Sequence, residues 1–384
     1  MSARLDAQFA FLMEADRLKG VVRTNELIDR SRPENSAEHS WHLALYALAM
    51  PLAAGVDRDR VVAMLLVHDL VEIDVGDHPI NGDHDAGALA AAEAAAARRL
   101  FSVLPADIGA TLLALWHEFD AGHSAEAQAA RQLDHSQPIL QILAADPRRP
   151  DHHAIALDNL RRGRAARLAR EWPALHAHAL ARAENRAHRD EPDLAARLAF
   201  LAEADRLKGV LRATTLADGS RRENSGEHSW HLALYALVLA DHAAPGVAID
   251  RVVKMLILHD LVEIDVGDVP IHSQNGTAHG SAAVAIAEAR AADRIFGILP
   301  SAIGAPLRAL WEEFEAAESP DAVFAKALDR VQPVLQNIAA GGGTWTEYNV
   351  TFAELETRVG QKVARGAPQL WDYVGNRARA FFDG

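Results

Sequence analysis

The pattern of apolar and polar positions predicts helix along almost the whole chain. Ala, Leu, Arg and Glu dominate, and alternating runs of β-branched residues are scarce. Asn35 followed by Glu38 reads as a capping box, in which each side chain satisfies a backbone N–H of the other at the start of a helix. The helix so opened carries His39, Trp41, His42 and Leu43 to about Leu52. A second is predicted from about Arg58 through Val61, Met64, Leu65 and His68 to about Ile73, after which Asp77, His78 and Pro79 form a loop. Further helices are expected over 88–100 and 112–119 and near 125–144, the last carrying Asp134.

The pattern is then written a second time. Glu34-Asn35-Ser36-Ala37-Glu38-His39-Ser40-Trp41-His42 returns as Glu223-Asn224-Ser225-Gly226-Glu227-His228-Ser229-Trp230-His231, and the stretch from His68 to Asp77 returns from His259 to Asp268. The offset is 189 residues at Phe11/Phe200, 191 at His68/His259 and 195 at Asp134/Asp329, so small insertions in the second copy account for the drift. A period this long denotes domain duplication, not a solenoid. Two domains are expected, residues 1–190 and 191–384, with the boundary at Arg189-Asp190-Glu191-Pro192, where charge and proline interrupt the pattern.

Composition narrows the reading. The 384 residues suffice for two domains, and 49% hydrophobic with 24% charged residues is normal for a globular chain with a full core. No apolar run approaches the length of a bilayer span, and Met1-Ser2-Ala3-Arg4-Leu5-Asp6 lacks the charged-then-apolar layout of a signal. The expectation is a cytoplasmic protein with no membrane partner. The absence of cysteine excludes disulfides and thiolate zinc sites, so a metal must be held by His, Asp or Glu. A net charge of −14 disfavours a nucleic-acid polymer as partner, which would need a basic stripe. It leaves a small phosphorylated substrate open, because a metal and one or two arginines dominate the local field. Several of the 19 histidines, from His152 to His188, have no repeat partner and read as surface residues.

The repeated residues carry the candidate chemistry. His68 and Asp69 diverge on a helix and reach one metal only if it lies over the groove between them. His39 and Asp134, from other helices, are candidates to complete the shell. In the second copy the set is His228, His259, Asp260 and Asp329. Two imidazoles and two carboxylates suit one borderline or hard divalent ion per domain, with Co, Mn, Fe, Ni and Zn all compatible. Glu72 follows at helical spacing and is a candidate proton donor or water-orienting group, as is Glu263. Asp77 and Asp268 sit at the mouth of a loop, placed for a sugar hydroxyl. The planar donors of Arg23 and Arg212 suit a phosphate. Glu38 reads as a cap, Trp41 and Trp230 as packing residues, and His42 and His231 as core or supporting residues. Asp74 fits a solvated helix end as well as it fits catalysis.

In these residues the chain resembles the HD-domain metal-dependent phosphohydrolases, and within them the branch of 5'-deoxynucleotidases. The matching elements are Leu18-Lys19 with Arg23, the stretch Glu34 to Ser40, His68-Asp69 with Glu72, Gly76-Asp77, and Leu133-Asp134. The resemblance implies an all-α fold of two tandem HD-domain helical bundles, packed as an internal pseudo-dimer because single-domain members form homodimers. It implies one divalent metal at His39, His68, Asp69 and Asp134 and another at His228, His259, Asp260 and Asp329. It also implies catalytic help from Glu72 and Glu263, and substrate contacts from Arg23, Asp77, Arg212 and Asp268. The implied reaction is release of phosphate from a small phosphomonoester, a (deoxy)nucleoside 5'-monophosphate. The alternatives are a phosphodiester or pyrophosphate hydrolase of the same superfamily, or a non-catalytic metal-binding sensor or scaffold. The chain departs from the nucleotidase pattern at Thr24 and Ala213, where those members carry an aromatic residue. The tails of the two copies also differ, Asp146 to Pro150 in the first standing against Gly341 to Trp345 in the second.

Overall fold

The structure is a computed structural model that describes residues 2–78, 85–145, 149–273 and 281–384. Pro79 of the expected loop and Asp146–Arg148 of the first tail lie outside the described residues. In the first half, α1 (Ser2–Ala15) runs through a 3₁₀ turn (Asp16–Gly20) into an antiparallel hairpin, β1 (Val22–Glu26) and β2 (Pro33–Asn35). There follow α2 (Ser36–Ala49), α3 (Arg58–Val67), the short α4 (Glu72–Val75), α5 (Ala86–Phe101), α6 (Ala106–Ala121) and α7 (Ala125–Ala144). The half closes on α8 (Pro150–Arg162), α9 (Leu168–Glu171) and α10 (Pro173–Ala183). The second half repeats the order as α11 (Pro192–Ala204), β3 (Leu211–Thr215), β4 (Arg222–Asn224), α12 (Ser225–Val238), α13 (Ile249–Leu258) and α14 (Glu263–Val266). It continues with α15 (Ala282–Phe296), α16 (Ser301–Ala316) and α17 (Pro320–Ala339). It ends differently, on α18 (Gly343–Glu347), α19 (Phe352–Leu355), α20 (Gln361–Gly366) and α21 (Pro368–Asp383). The fold is helical, as expected, and the family's two-bundle plan is met by this repeated order.

Both capping boxes form, Asn35 with Glu38 and Asn224 with Glu227. The helix they open in the first half ends at Ala49, before the expected Leu52, because Met50 precedes Pro51 and is forced into an extended conformation (ψ 153°). Every residue of α2 is buried, polar ones included. A helix without a solvent face must be packed on all sides. Helix α2 lies against α3 and, across the two halves, against α12, which is enclosed by α13 and α2 in turn. Trp41 and Trp230 are fully buried, as packing residues should be, and each indole donates across the halves: Trp41 Nε1 to the Ile257 carbonyl and Trp230 Nε1 to the Leu66 carbonyl, both at 3.0 Å.

The first helix of each half is laid over the other half. Helix α1 packs on α12 and α11 on α2. His231 Nε2 donates to Leu12 O at 2.8 Å and His42 Nε2 to Leu201 O at 2.9 Å, so these two histidines are core residues that tie the halves together. Among the described residues no helix is long and apolar enough to cross a membrane.

Two local differences from the expected pattern shape the site. The hairpins were invisible in the pattern, because Val22-Arg23-Thr24-Asn25-Glu26 is polar and lacks two-residue alternation. The expected continuous helix over 58–73 is also broken: α3 stops at Val67 and His68–Val71 form a 3₁₀ turn. The carbonyls that would continue the helix are taken by side chains. His68 Nδ1 donates to Leu65 O at 2.9 Å, and Trp116 Nε1 donates to His68 O at 3.1 Å. The second copy turns over 259–262 in the same way, with His259 on Leu256 O and Trp311 on His259 O. A 3₁₀ turn eclipses residues three apart, which brings Asp69 and Glu72 to one side.

Candidate metal centre and active site

Four elements converge in each half. Helix α2 supplies His39 one turn past its cap, the 3₁₀ turn supplies His68 and Asp69, α7 supplies Asp134, and β1 supplies Arg23. Ligand atoms of His39, His68 and Asp134 lie within 4.8 Å of one another, as do those of His228, His259 and Asp329. Asp69 falls outside that trio but adjoins it. Its Oδ1 is 3.0 Å from His68 Nε2, its Oδ2 4.0 Å from His39 Nε2 and 3.0 Å from Arg23 Nη1. Asp260 stands likewise, 3.0 Å from His259 Nε2 and 2.7 Å from Arg212 Nη1. His39 Nε2 is 3.1 Å from Asp134 Oδ1, and His228 Nε2 is 3.4 Å from Asp329 Oδ1.

These residues fit a cation. Because Nδ1 of His68 and of His259 carries the proton given to a backbone carbonyl, Nε2 is left as a lone pair facing the carboxylates. Both Nε2 atoms are buried and make no hydrogen bond, because a lone pair and a carboxylate oxygen are both acceptors. An orphaned imidazole lone pair beside carboxylates, with its far nitrogen anchored, is the arrangement a metal-ligating histidine requires.

Arg23 is set among acids. Its Nη1 is 3.5 Å from Asp77 and 3.7 Å from Glu72 as well as 3.0 Å from Asp69. Burial would lower its pKa, but Asp69, Glu72 and Asp77 more than offset that and hold it cationic. Arg212 sits alike among Asp260, Glu263 and Asp268. Burial, seconded by Asp69, pushes the Glu72 carboxyl up to about 8, and burial with Asp260 pushes Glu263 well above the carboxylate range. A carboxyl kept neutral near pH 7 is a proton donor. Ser36 Oγ, at the first turn of α2, donates to Glu72 Oε2 at 2.5 Å, and Ser225 donates to Glu263 at the same distance.

All the residues expected at the site are thus brought together in both halves. Asp74 is not among them; it pairs at the surface with Arg99, and Asp265 with Arg294. Glu38 does more than cap: its carboxylate also receives Asn224 Nδ2 from the other half at 2.6 Å. Sequence reasoning missed Ser36 and Ser225, and also Glu34 and Glu223, although all four recur at the repeat offset. Two further acid–histidine clusters, Asp16-Glu223-His231 and Glu34-His42-Asp205, have metal-like spacing. They are closed to a metal because Lys19 Nζ and Lys208 Nζ lie inside them as the cation. Burial and those lysines lower both histidines, His231 to about 3, so they stay neutral.

The HD domain family matches residues 15–176 and, a second time, residues 204–371. The chain belongs to the HD domain family. The 5'-deoxynucleotidase HDDC2 of Homo sapiens and that of Bos taurus are each 33% identical to it over 132 residues, which is 34% of this chain and 64% of theirs. The Mus musculus protein of the same name is 30% identical over 132 residues, 66% of its length. The chain therefore spans just under two thirds of the length of these relatives. Among solved structures, a predicted metal-dependent phosphohydrolase from Magnetospirillum magnetotacticum MS-1 is 43% identical, covering 50% of this chain and 96% of that one, with a TM-score of 0.46.

The two HD domains open differently. In the first, Arg23, Asp69, Glu72, Asp77 and Asp134 line a cavity of about 860 Å³ whose outer wall is α8, with His152, Asp158 and Asn159. His152 thus faces the cavity, not open surface; His176 and His178 are half-buried and bonded to Leu160 O and Asp190. In the second, the cavity is about 140 Å³ and is lined by Trp345, Tyr348 and His272, with Arg330 in place of His135.

Proposed function

We propose that each HD domain is a metal-dependent phosphohydrolase site that releases phosphate from a small phosphomonoester, a deoxynucleoside 5'-monophosphate being the substrate class. The observation that carries this reading is the orphaned Nε2 of His68 and His259 beside a cationic arginine and a neutral glutamic acid. The names of the 5'-deoxynucleotidase relatives agree with it. His39, His68, Asp69 and Asp134, and their counterparts His228, His259, Asp260 and Asp329, would hold a borderline divalent ion. Such an ion, when bound, polarises a phosphoryl oxygen and lowers the pKa of a bound water.

The chain's own groups then have defined tasks. Arg23 leaves its carboxylate partners in part to neutralise the phosphate, its planar donors matching the phosphoryl oxygens. Glu72, held by Ser36 through Oε2, gives its proton to the departing sugar oxygen. Asp77 accepts from a sugar hydroxyl. The second domain uses Arg212, Glu263 with Ser225, and Asp268 in the same way. We also propose residues 1–190 and 191–384 as the two domains, packed as an internal pseudo-dimer; the paired α2 and α12 and the exchanged first helices support this.

The test is a panel of nucleoside 5'-monophosphates, dinucleotide diesters and nucleoside triphosphates assayed with Mn²⁺, Co²⁺ or Zn²⁺ for phosphate release. Turnover of monophosphates alone, lost in the Glu72→Gln/Glu263→Gln double variant, is the expected result. Turnover of diesters or triphosphates instead, or tight binding without turnover, would reject the proposed reaction.

A further inference from the structure

Two lysines repeated in both copies take no part in the proposed reaction. Lys19 and Lys208 are fully buried, which is rare for lysine, and each lies in the 3₁₀ turn before the hairpin of its own half. Each reaches into the other half. Lys19 Nζ donates to Glu223 Oε1 at 2.7 Å, and Lys208 Nζ to Glu34 Oε1 at 2.6 Å. The other oxygen of each glutamate faces a proposed metal ligand. Glu223 Oε2 is 3.1 Å from His228 Nδ1 and is hydrogen-bonded to it. Glu34 Oε2 is 3.6 Å from His39 Nδ1, where Gln137 Oε1 takes the hydrogen bond at 3.1 Å. Each chain of contacts therefore runs lysine of one half, glutamate of the other, histidine ligand of that other half.

The physics of the arrangement is directional. A histidine binds a metal through one nitrogen only if the other nitrogen is fixed by an acceptor, and a carboxylate there raises the basicity of the ligand. A carboxylate with no solvent at all keeps its charge and orientation only if a cation stays beside it. Glu223 has Lys19 for that purpose, with Gln332 Nε2 at 2.9 Å and Gln336 Nε2 at 3.0 Å on the same oxygen and Arg212 Nε 3.9 Å from Oε2. Glu34 has Lys208 on Oε1 and Arg23 Nε 3.9 Å from Oε2.

We propose that Lys19 and Lys208 are positioning residues for the metal centre of the opposite HD domain, acting through Glu223 and Glu34. The inference rests on the metal reading above. It predicts a crossed dependence, in which a change in the first half weakens the second centre and the reverse. The direct His228–Glu223 bond makes the second centre the more sensitive of the two.

Replacing Lys19 alone strands two buried carboxylates and risks the fold. The variant to use is Asp16→Asn with Lys19→Met, which removes one charge of each sign and leaves the net charge of the cluster unchanged. Mn²⁺ affinity is measured by equilibrium dialysis on the full chain in two backgrounds, His68→Ala to read the second centre and His259→Ala to read the first. The expected result is a loss of about tenfold or more at the second centre, within the range known for the outer partners of a metal-ligating histidine, and a change under about twofold at the first. Asp205→Asn with Lys208→Met should weaken binding at the first centre, by less than the first variant weakens it at the second because Gln137 holds His39 Nδ1, and should change the second centre by under about twofold. Unchanged affinity at the second centre, loss at the first instead, or equal loss at both would overturn the inference while leaving the metal reading in place. Failure of the unaltered chain to bind Mn²⁺, Co²⁺ or Zn²⁺ would overturn the metal reading itself.

Discussion

Asn35 is where the capping of a helix and the joining of the halves meet, and its replacement separates the two effects. Asn35 Oδ1 accepts from Glu38 N at 2.9 Å, while Nδ2 donates to Glu227 Oε2 of the other half at 2.8 Å. Loss of an N-cap costs about 1 kcal/mol. Loss of a hydrogen bond to a buried charged group costs about 1.5–3 kcal/mol. Asn35→Ala should therefore destabilise the protein by about 2.5–4 kcal/mol. Asn35→Ser keeps an oxygen for Glu38 N but has no donor that spans the distance to Glu227, so it should cost only the cross-half part, about 1.5–3 kcal/mol. Asn35→Asp keeps the cap and sets a second carboxylate against Glu227, and should be the least stable of the three. The assay is urea unfolding followed by tryptophan fluorescence and by circular dichroism, with coincidence of the two curves as the check on two-state behaviour. A cycle with Glu227→Gln then isolates the coupling. If Asn35→Ser is within about 0.5 kcal/mol of the unaltered protein, or Asn35→Asp is no worse than Asn35→Ala, the cross-half bond does not carry the energy assigned to it.

Glu72→Gln should lower kcat of the first centre by about 10²–10⁴-fold with metal binding retained, assayed in a chain whose second centre is disabled. Because the Glu72 pKa of the folded, metal-free protein is raised from 4.5 to about 8, its stabilising contribution is complete below pH 4.5 and is lost as pH rises through about 8. Glu72→Gln should accordingly flatten that part of the metal-free stability profile, read by urea unfolding at a series of pH values. Helix α16 ends on Ala317 at φ 49°, the left-handed region, where α6 ends on Gly122 at φ 66°. Ala317→Gly should stabilise by about 0.5–1 kcal/mol and Gly122→Ala should destabilise by a similar amount, both measured by thermal unfolding. A Cβ on Gly304 would meet Phe296 O at 2.3 Å, so Gly304→Ala should cost about 1–3 kcal/mol, and equal stability would disprove the close packing of α15 on α16.

What the pattern of residues revealed, and what it hid, follows from the range of each interaction. Capping boxes are local, and both were legible from Asn35-Glu38 and Asn224-Glu227. Helix α7 was legible because its start is set locally, by the Ser124 side chain accepting from Ala127 N. The repeat singled out every member of the proposed metal set, since independent drift would not preserve His39, His68, Asp69 and Asp134 in order twice. The break at His68 was not legible, because it depends on Trp116 reaching a carbonyl 48 positions earlier in the chain. The roles of Glu34, Glu223, Lys19 and Lys208 were hidden for the same reason: their partners lie in the other half. Ser36 lies next to a capping residue, and that local explanation concealed its bond to Glu72.

The unequal cavities acquire a meaning from the exchanged first helices. In an assembly of two identical chains, every substitution is expressed twice, and a pocket can change only if its twin changes with it. Here the two rooms are encoded separately yet share one framework of buried helices, so each wall mutates alone while the shared core continues to constrain both. The smaller room beside Trp345 and the larger one beside α8 are what that independence permits, two differently shaped pockets on one polypeptide at a fixed ratio of one to one.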